Sequence, residues 1–336
     1  MHLDAISDLL HARAFALGFA FGGVAFLLAA AVAVASRRRI PDVAGLAFVA
    51  AGWLGVRGAW GTTLARASVL LALGTLALGG ALVVVLAHRF SVARAHPLLT
   101  TAVALVPGAV WLAAVTPLAG SDLSRAILAI STIAIGVGMR DFDAMHGARG
   151  APWLLYAVTT AGVYLAVPDT ELARVMLGVA LPFVLLSIPR PLCPFGPAGS
   201  AALAGMFTWV VVVGGRGRPG SVVGGLATIG LLVAEPLGRH TIGMVTRGVR
   251  DPRDRNQDAW LSRAAVAAIA QLIIVLYASR VVAREDFAVT ALLITAPLAA
   301  VAVIASPGLY PQPHSSKLRH RGRSRRPERS PSRSRS

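Results

Sequence analysis

The sequence predicts an all-α fold, a polytopic transmembrane helical bundle with about 11 spans, since its apolar segments are each near the ~20 residues that cross a bilayer. Composition agrees with this class. Of the 336 residues 56% are hydrophobic and only 14% are charged, and the mean hydropathy is +0.69. A soluble domain carries about 25% charged residues. The basic residues are unequally divided between alternate loops, which orients the N-terminus outside and the C-terminus inside.

The apolar segments begin with a helix that we expect to remain uncleaved. Three arginines, Arg37 to Arg39, follow its apolar run, whereas a cleaved signal peptide has its basic residues ahead of the run. Glycine and alanine are frequent in the later segments, which indicates close helix–helix contact. The predicted segments are residues 13–35, 42–57, 64–87, 97–117, 122–139, 151–168, 171–189, 198–214, 219–238, 264–282 and 287–306.

The orientation follows from the loops between these segments. With the N-terminus outside, 23 Lys and Arg residues fall on the cytoplasmic side and nine fall outside. Basic residues concentrate in cytoplasmic loops of membrane proteins. The longest polar stretch before the tail, 235–263, contributes six of the inner arginines. We therefore expect a multi-pass protein of a bacterial-type cytoplasmic (inner) membrane.

Two regions make up the predicted domain organisation, a transmembrane domain over residues 1–306 and a disordered cytoplasmic tail over 307–336. The tail has no large apolar residue after Leu318 and alternates Arg with Ser and Pro, so it cannot bury enough surface to fold. Its positive charge predicts that the tail binds anionic lipid headgroups. Nucleic acid is not an expected partner, because aromatic residues do not interleave the charges. The single cysteine, Cys193, excludes an intrachain disulfide.

Five stretches on the predicted cytoplasmic side combine small residues, prolines and charges in a fixed order. They are RIPDVAGLA at 39–47, LVVVLAHRF at 82–90, RDFDAMHGA at 140–148, LLSIPRPLCPFGPAGSAALAG at 185–205 and EPLGRHTIGMVTRGVRDPRDRNQDAWLSR at 235–263. The order and spacing of these stretches resemble the inner motifs of the polyprenyl-phosphate N-acetylhexosamine-1-phosphate transferases, which include the phospho-N-acetylmuramoyl-pentapeptide transferase. The resemblance extends from about residue 39 to 305 and implies a transferase-like transmembrane domain.

This sequence matches the family's motifs at several positions. The first stretch resembles K-x-P-x-x-G-G-x-A, and the third resembles N-x-x-D-G-x-D-G, with Asp143 and Gly147 at matching places. The fourth resembles F-x-G-D-x-G-S and matches it at Gly196, Gly199 and Ser200. The fifth begins like P-L-x-D, and its Asp-Arg pair at 254–255 resembles the pair that precedes the family's histidine cluster.

Most of the family's acidic and histidine positions are occupied by other residues. Pro197 stands where the family carries the Asp of F-x-G-D-x-G-S, and Phe195 lies one place after the motif's Phe position. Ala87 and His88 occupy the place of an Asp-Asp pair. Arg140 replaces Asn, His146 replaces Asp, Arg239 replaces the Asp of P-L-x-D, and Gln257, Ala259 and Trp260 occupy the histidine positions.

These departures bear on the family's reaction, in which a sugar 1-phosphate moves from a uridine diphosphate sugar to a polyprenyl phosphate and UMP leaves. Mg²⁺ and positive groups must neutralise the approaching phosphates, and Mg²⁺ takes carboxylate and phosphate oxygens as ligands. Proline at the metal position offers no side-chain oxygen. We therefore predict no resident cofactor, with Mg²⁺ required only if the chain is an active transferase.

Asp143, His146 and His88 are the candidate catalytic residues, because an imidazole acts as a general base near neutral pH. The alternative for Asp143 is a loop ion pair with Arg140 or Arg149. Arginine binds phosphate through two parallel hydrogen bonds without a metal, and the alternative for the arginines is that they only set the topology. The candidate substrate-binding residues are Arg140, Gly196, Gly199, Ser200, Arg239 and His240.

The resemblance and its departures together predict a divergent, non-catalytic member of the family. It would bind lipid phosphate or act as a scaffold in envelope glycan synthesis. Its expected partners are membrane lipids, including polyprenyl phosphate, and the sequence does not determine the oligomeric state. The first alternative is an active sugar-1-phosphate transferase with a rebuilt site. The second is a multi-pass transporter or flippase of unrelated ancestry.

Overall fold

A computed structural model describes residues 12–35, 42–61, 63–116, 122–146, 170–187 and 195–215, together with isolated positions between 153 and 163 and between 222 and 229. All secondary-structure elements in this part of the chain are helices, and no strand occurs in it. The helices are α1 (Arg13–Ala35), α2 (Val43–Trp60), α3 (Ala67–Arg89), α4 (Ser91–Ala95), α5 (Pro97–Val115), α6 (Asp122–His146), α7 (Thr170–Ser187) and α8 (Pro197–Gly214).

The all-helical prediction is therefore confirmed for the described residues. Five of the helices, α1, α2, α3, α5 and α8, are long and apolar enough to cross a membrane, which indicates a multi-pass membrane protein. The last two predicted segments, most of segment 219–238 and the tail at 307–336 lie outside the described residues.

The helices alternate in direction as successive membrane crossings require. α1, α3, α6 and α7 run one way, and α2, α5 and α8 run the other way. α6 and α7 run in the same direction, and the predicted segment 151–168 separates them in the chain. The contacts that fix these directions are Gly18 with Val175, Gly22 with Val179, Gly52 with Met176, Gly55 with Val175, Gly45 with Gly199, Gly52 with Met206, Gly79 with Ala104, Gly108 with Leu76, Gly80 with Pro197, Gly205 with Leu76, Thr132 with Thr208, and Asp143 with Phe195.

α8 lies at the centre of the bundle. It packs against α3 and α6 on one side and against α2 on the other. All of its residues except Pro197 and Val213 are buried. Of the five long apolar helices in the described part of the chain, α1 is the least buried, at 22%, and α8 the most buried, at 89%. Small residues allow neighbouring helices to pack closely around α8. Gly45 and Gly199, for example, bring the backbones of α2 and α8 into direct contact.

α6 is longer than the sequence predicted. The apolar segment was expected to end at residue 139, but the helix continues to His146, so the stretch around Asp143 belongs to a helix rather than a loop. The sequence 139–146 contains no Gly or Pro to end the helix. Phe142 and Asp143 are also buried there. The extension carries Asp143 to the start of α8.

Candidate functional site

The start of α8 is held by two carboxylates from distant parts of the chain. Asp143, in the last turn of α6, accepts hydrogen bonds from the backbone N–H of Phe195 at Oδ1 and of Gly196 at Oδ2, both at 2.9 Å. Each carboxylate oxygen thus receives one donor. Asp143 is 7% exposed, so this two-pronged contact is buried.

Asp42 provides the second carboxylate. Its Oδ1 accepts hydrogen bonds from the N–H of Ala198 at 2.6 Å and of Gly199 at 3.1 Å. Asp42 immediately precedes α2, yet its side chain does not cap α2. It caps α8, a helix more than 150 residues further along the chain. We call Asp42 and Asp143 the carboxylate clamp.

The clamp accounts for the backbone donors at the α8 start. The first N–H groups of a helix have no partner within it and need one when buried. Pro197, the first residue of α8, has no N–H, and Ser200 donates to the carbonyl of Gly196 at 2.8 Å. The remaining four donors, from Phe195 to Gly199, belong to the clamp. Negative charge at a helix N-terminus is also favoured by the helix dipole.

Two features of the backbone bring the clamp into position. Gly196 has φ 75° and Asp42 has φ 82°, values in the left-handed region that glycine adopts most readily. A side chain at position 196 would run into the backbone nitrogen and carboxylate of Asp42. Only glycine at 196 therefore allows the start of α2 to approach the start of α8 this closely.

Burial raises the pKa of Asp143 to about 6, against the opposing effect of its two N–H donors and with a further increase from the neighbouring Asp42. Asp143 lies one turn beyond the predicted span 122–139. A carboxyl with this pKa is mostly ionised at neutral pH, the state in which both oxygens accept hydrogen bonds. Two neighbouring carboxylates are tolerated because four N–H groups share their charge.

Aromatic packing fixes the residue that leads into α8. The ring of Phe195 meets the ring of Trp153 edge-on, with centroids 4.3 Å apart. Trp153 in turn stacks on Phe183 of α7 at 4.7 Å and touches Phe48 of α2 at 5.4 Å. Trp153 is 1% exposed, so it is a core residue. This cluster holds Phe195 with its N–H toward Asp143.

Arg140 lies one turn before Asp143 on α6 and points to a different partner. Its guanidinium donates a hydrogen bond from Nη1 to Oγ1 of Thr101 in the first turns of α5. Thr101 is buried and donates to the carbonyl of Pro97 at 2.7 Å. Arg140 itself is half-buried. These two charged residues of α6 thus serve separate contacts, Arg140 with α5 and Asp143 with α8.

The structure brings some of the predicted site residues together. Asp143, Gly196 and Gly199 share the clamp, and Ser200 follows directly, fully buried. Among the described residues Ser200 Oγ has no hydrogen-bond partner. The sequence predicts that Gly196 and Gly199 bind a substrate. In the structure the N–H of Gly196 donates to Asp143 and that of Gly199 donates to Asp42.

His88 lies apart from this group. It is exposed in the last turn of α3, and its Nδ1 is 2.9 Å from the carbonyl oxygen of Val84. Gly80 of the same helix is the residue beside Pro197. Eight further residues place His88 about 12 Å along the α3 axis from that level. His146 ends α6, but its side chain, like Arg239 and His240, is outside the described part.

The described residues do not fit the Mg²⁺ that a resemblance to the transferases would imply. At the position of the metal-binding Asp, Pro197 begins α8 with no side-chain oxygen. Three of the four carboxylate oxygens of the clamp already accept backbone hydrogen bonds. In the described ranges no group of three or more His, Cys, Asp and Glu residues could hold a metal ion. No reaction step through a metal can be derived from this arrangement.

Two residues of the site were missed by sequence reasoning. Asp42 belongs to the first family-like stretch, where it is the only acidic residue, immediately before an apolar segment. That position signals a cap of the helix that follows it, α2, whereas the side chain caps α8 instead. Thr101 offered no signal, because a threonine within an apolar segment is common. Only the packing of α5 against α6 identifies it as the partner of Arg140.

Comparisons with known proteins give no match. No family model, no curated protein and no solved structure is matched by this chain.

Proposed function

We propose that this protein is a divergent, non-catalytic relative of the polyprenyl-phosphate sugar-1-phosphate transferases, acting in a bacterial-type cytoplasmic membrane by binding lipid phosphate or as a scaffold in envelope glycan synthesis. The resemblance of five cytoplasmic stretches supports the family. Residues of three of those stretches meet at one point: Asp42 from the first, Asp143 from the third, and Phe195 to Gly199 from the fourth.

The single observation that carries the non-catalytic part of the proposal is the carboxylate clamp. A free helix N-terminus offers N–H groups and a positive dipole end to a phosphate. Here the four available N–H groups of the α8 start bind the protein's own carboxylates. Substrate phosphate would have to displace Asp42 or Asp143, and a displaced Asp143 would be left buried without its donors.

We expect no Mg²⁺-dependent UMP release above background when the purified full chain is given uridine diphosphate sugars, a polyprenyl phosphate and Mg²⁺. Loss of charge neutralisation between two phosphates removes several kcal/mol of transition-state stabilisation, and each ~1.36 kcal/mol is tenfold in rate. The measurement is nucleotide release followed by chromatography. An active transferase in the same detergent shows that the assay works.

The rebuilt-site alternative gives the opposite result. Robust UMP release that disappears in Asp143→Asn, while the variant still elutes as a folded protein, would contradict the proposal. It would also make Asp143 catalytic in addition to its role in the clamp. Release that persists unchanged in Asp143→Asn would still contradict a non-catalytic protein, but would place the chemistry elsewhere.

The proposal includes eleven spans with the N-terminus outside, supported by the distribution of basic residues and the alternating helix directions. With Cys193 replaced by alanine, we expect a cysteine at Thr63, an exposed residue between α2 and α3, to react with an impermeant maleimide on intact cells. A cysteine at Ser262 should react only after permeabilisation. Labelling of position 262 from outside, or protection of position 63, would overturn this orientation.

A further inference from the structure

The link between α3 and α5, residues 90–96, joins two helices that are each long and apolar enough to cross a membrane. The two helices run antiparallel, because Gly79 contacts Ala104 and Gly108 contacts Leu76. A link between antiparallel spans lies at a membrane surface, since a turn of the backbone is not stable within the lipid hydrocarbon. This link is short, and five of its residues form α4.

The α3–α5 link exposes its large apolar side chains. Phe90 is 59% exposed and Val92 is 71% exposed. The link between α2 and α3, of similar length, behaves differently, because its Leu64 packs against the core and its Ala65 is fully buried. A short link therefore does not by itself force apolar residues outward. Since apolar surface in water is unfavourable, we expect Phe90 and Val92 to meet an apolar medium.

Basic residues surround these apolar side chains. His88 and Arg89 precede the link and His96 ends it, and all three are exposed. Arg94 adds a further positive charge to the sequence of the link, and residues 67–116 contain no Asp or Glu. Apolar residues interleaved with basic ones are typical of segments in the headgroup layer of a membrane. There the apolar side chains reach the acyl boundary and the cations meet anionic headgroups.

Hydrogen bonds hold the link in a defined conformation. The hydroxyl of Thr100, in the first turn of α5, points to the carbonyl oxygens of Ala93 at 3.4 Å and of His96 at 2.9 Å. The N–H of His96 donates to the carbonyl of Val92 at 3.0 Å, which closes α4. α4 also packs against both α3 and α5. Phe90 and Val92 thus remain exposed in a link that is fixed to its helices.

From these contacts we propose that the α3–α5 link is an interfacial segment that lies in the headgroup layer of an anionic membrane, with Phe90 and Val92 inserted toward the acyl chains and Arg89 among the headgroups. The partner is a lipid surface rather than one lipid in a pocket. Any anionic glycerophospholipid should therefore serve, and a phosphate monoester is not required. The inference goes beyond the proposed function and does not depend on it.

The test measures how deeply the link lies in a bilayer. In the full chain carrying Cys193→Ala, a cysteine at Ser91, the exposed residue between Phe90 and Val92, is labelled with bimane. The protein is reconstituted in nanodiscs of phosphatidylglycerol and phosphatidylcholine. A doxyl group near the top of the acyl chains quenches from the membrane, and acrylamide quenches from water. Compared with a cysteine at Thr63 in the α2–α3 link, we expect doxyl quenching at position 91 to be about twofold stronger and acrylamide quenching about twofold weaker.

Two variants separate the apolar contribution from the charged one. Replacing Phe90 and Val92 together by serine should bring position 91 to the values of position 63, because no apolar side chain then reaches the acyl boundary. Omitting phosphatidylglycerol should lower the doxyl quenching at position 91, and Arg89→Gln should lower it in the mixed bilayer, because each removes one side of the charge attraction. Size-exclusion chromatography checks that the variants fold, and the comparison of positions 91 and 63 in the unaltered link does not depend on them.

Four results would reject the proposal. Equal quenching at positions 91 and 63 would mean that the link is no deeper than an ordinary loop. Protection of position 91 from both quenchers would mean that protein covers it. Doxyl quenching that is unchanged without phosphatidylglycerol would remove the role of the anionic headgroups. A response to phosphatidic acid that phosphatidylglycerol at the same surface charge does not reproduce would indicate a pocket for a phosphate monoester instead of a surface.

Discussion

Asp143→Ala is expected to lower the free energy of unfolding by about 3 kcal/mol, because it leaves two buried N–H donors without acceptors at about 1–3 kcal/mol each. The donors are those of Phe195 and Gly196, both 2.9 Å from the Asp143 carboxylate. The loss should be measurable as a large fall in the melting temperature of the detergent-solubilised protein, followed by size-exclusion chromatography after heating.

Two further variants serve as comparisons for Asp143→Ala. Asp143→Asn keeps one acceptor oxygen and removes a buried charge, so it should be destabilised by only about 1 kcal/mol. Asp122→Ala removes an aspartate at the opposite end of the same helix, where its side chain is fully exposed in a surface pair with Arg125, and should change stability little. Equal melting temperatures for Asp143→Ala and Asp122→Ala would show that the clamp does not hold the α8 start.

Gly196→Ala is the second substitution with a large expected effect. Its φ of 75° strains any residue with a Cβ, at a cost of about 1–3 kcal/mol. The new methyl group would also meet the backbone nitrogen and carboxylate of Asp42. Asp42 would have to withdraw from the N–H groups of Ala198 and Gly199. We expect a total loss of roughly 3 kcal/mol or more, from strain plus two weakened hydrogen bonds.

The matched controls are Gly23→Ala in α1 and Gly74→Ala in α3. A Cβ at either position meets no atom within 4 Å, and neither glycine has a positive φ. In a helix interior, alanine is favoured over glycine by about 0.5–1 kcal/mol. Both controls should therefore melt at or slightly above the wild-type temperature. A Gly196→Ala protein as stable as these controls would contradict the close approach of Asp42 to the α8 start.

The clamp also accounts for two acidic residues, Asp42 and Asp143, beside the start of α8. Asp42 and Asp143 need no ligand to account for their burial, because backbone donors occupy them. A structural role is sufficient to keep them. Arg140 differs in this respect, since it donates to the hydroxyl of Thr101 and not to backbone carbonyls or a helix start.

Several features were determined by the sequence alone. Apolar runs of about 20 residues separated by charged loops specify helical spans by length and composition. The predicted starts and ends of the first, third and eighth segments lie within a few residues of α1, α3 and α8. Such local patterns suffice because a membrane leaves the backbone few alternatives to the helix. The position of Gly196, Gly199 and Ser200 at a helix start also follows from the local sequence, with Pro197 as the first helical residue.

Only the tertiary structure decided what these positions do. The sequence suggested a catalytic role or a loop ion pair for Asp143, and it assigned no role to Asp42. The structure places both on one helix start, through hydrogen bonds that join residues 53 and 156 positions apart. It also extends α6 past its apolar segment, so that Arg140 reaches Thr101 while Asp143 reaches α8. The contacts were hidden from the sequence because the packing of α2, α5 and α6 around α8, rather than any local pattern, brings donors and acceptors within hydrogen-bonding distance.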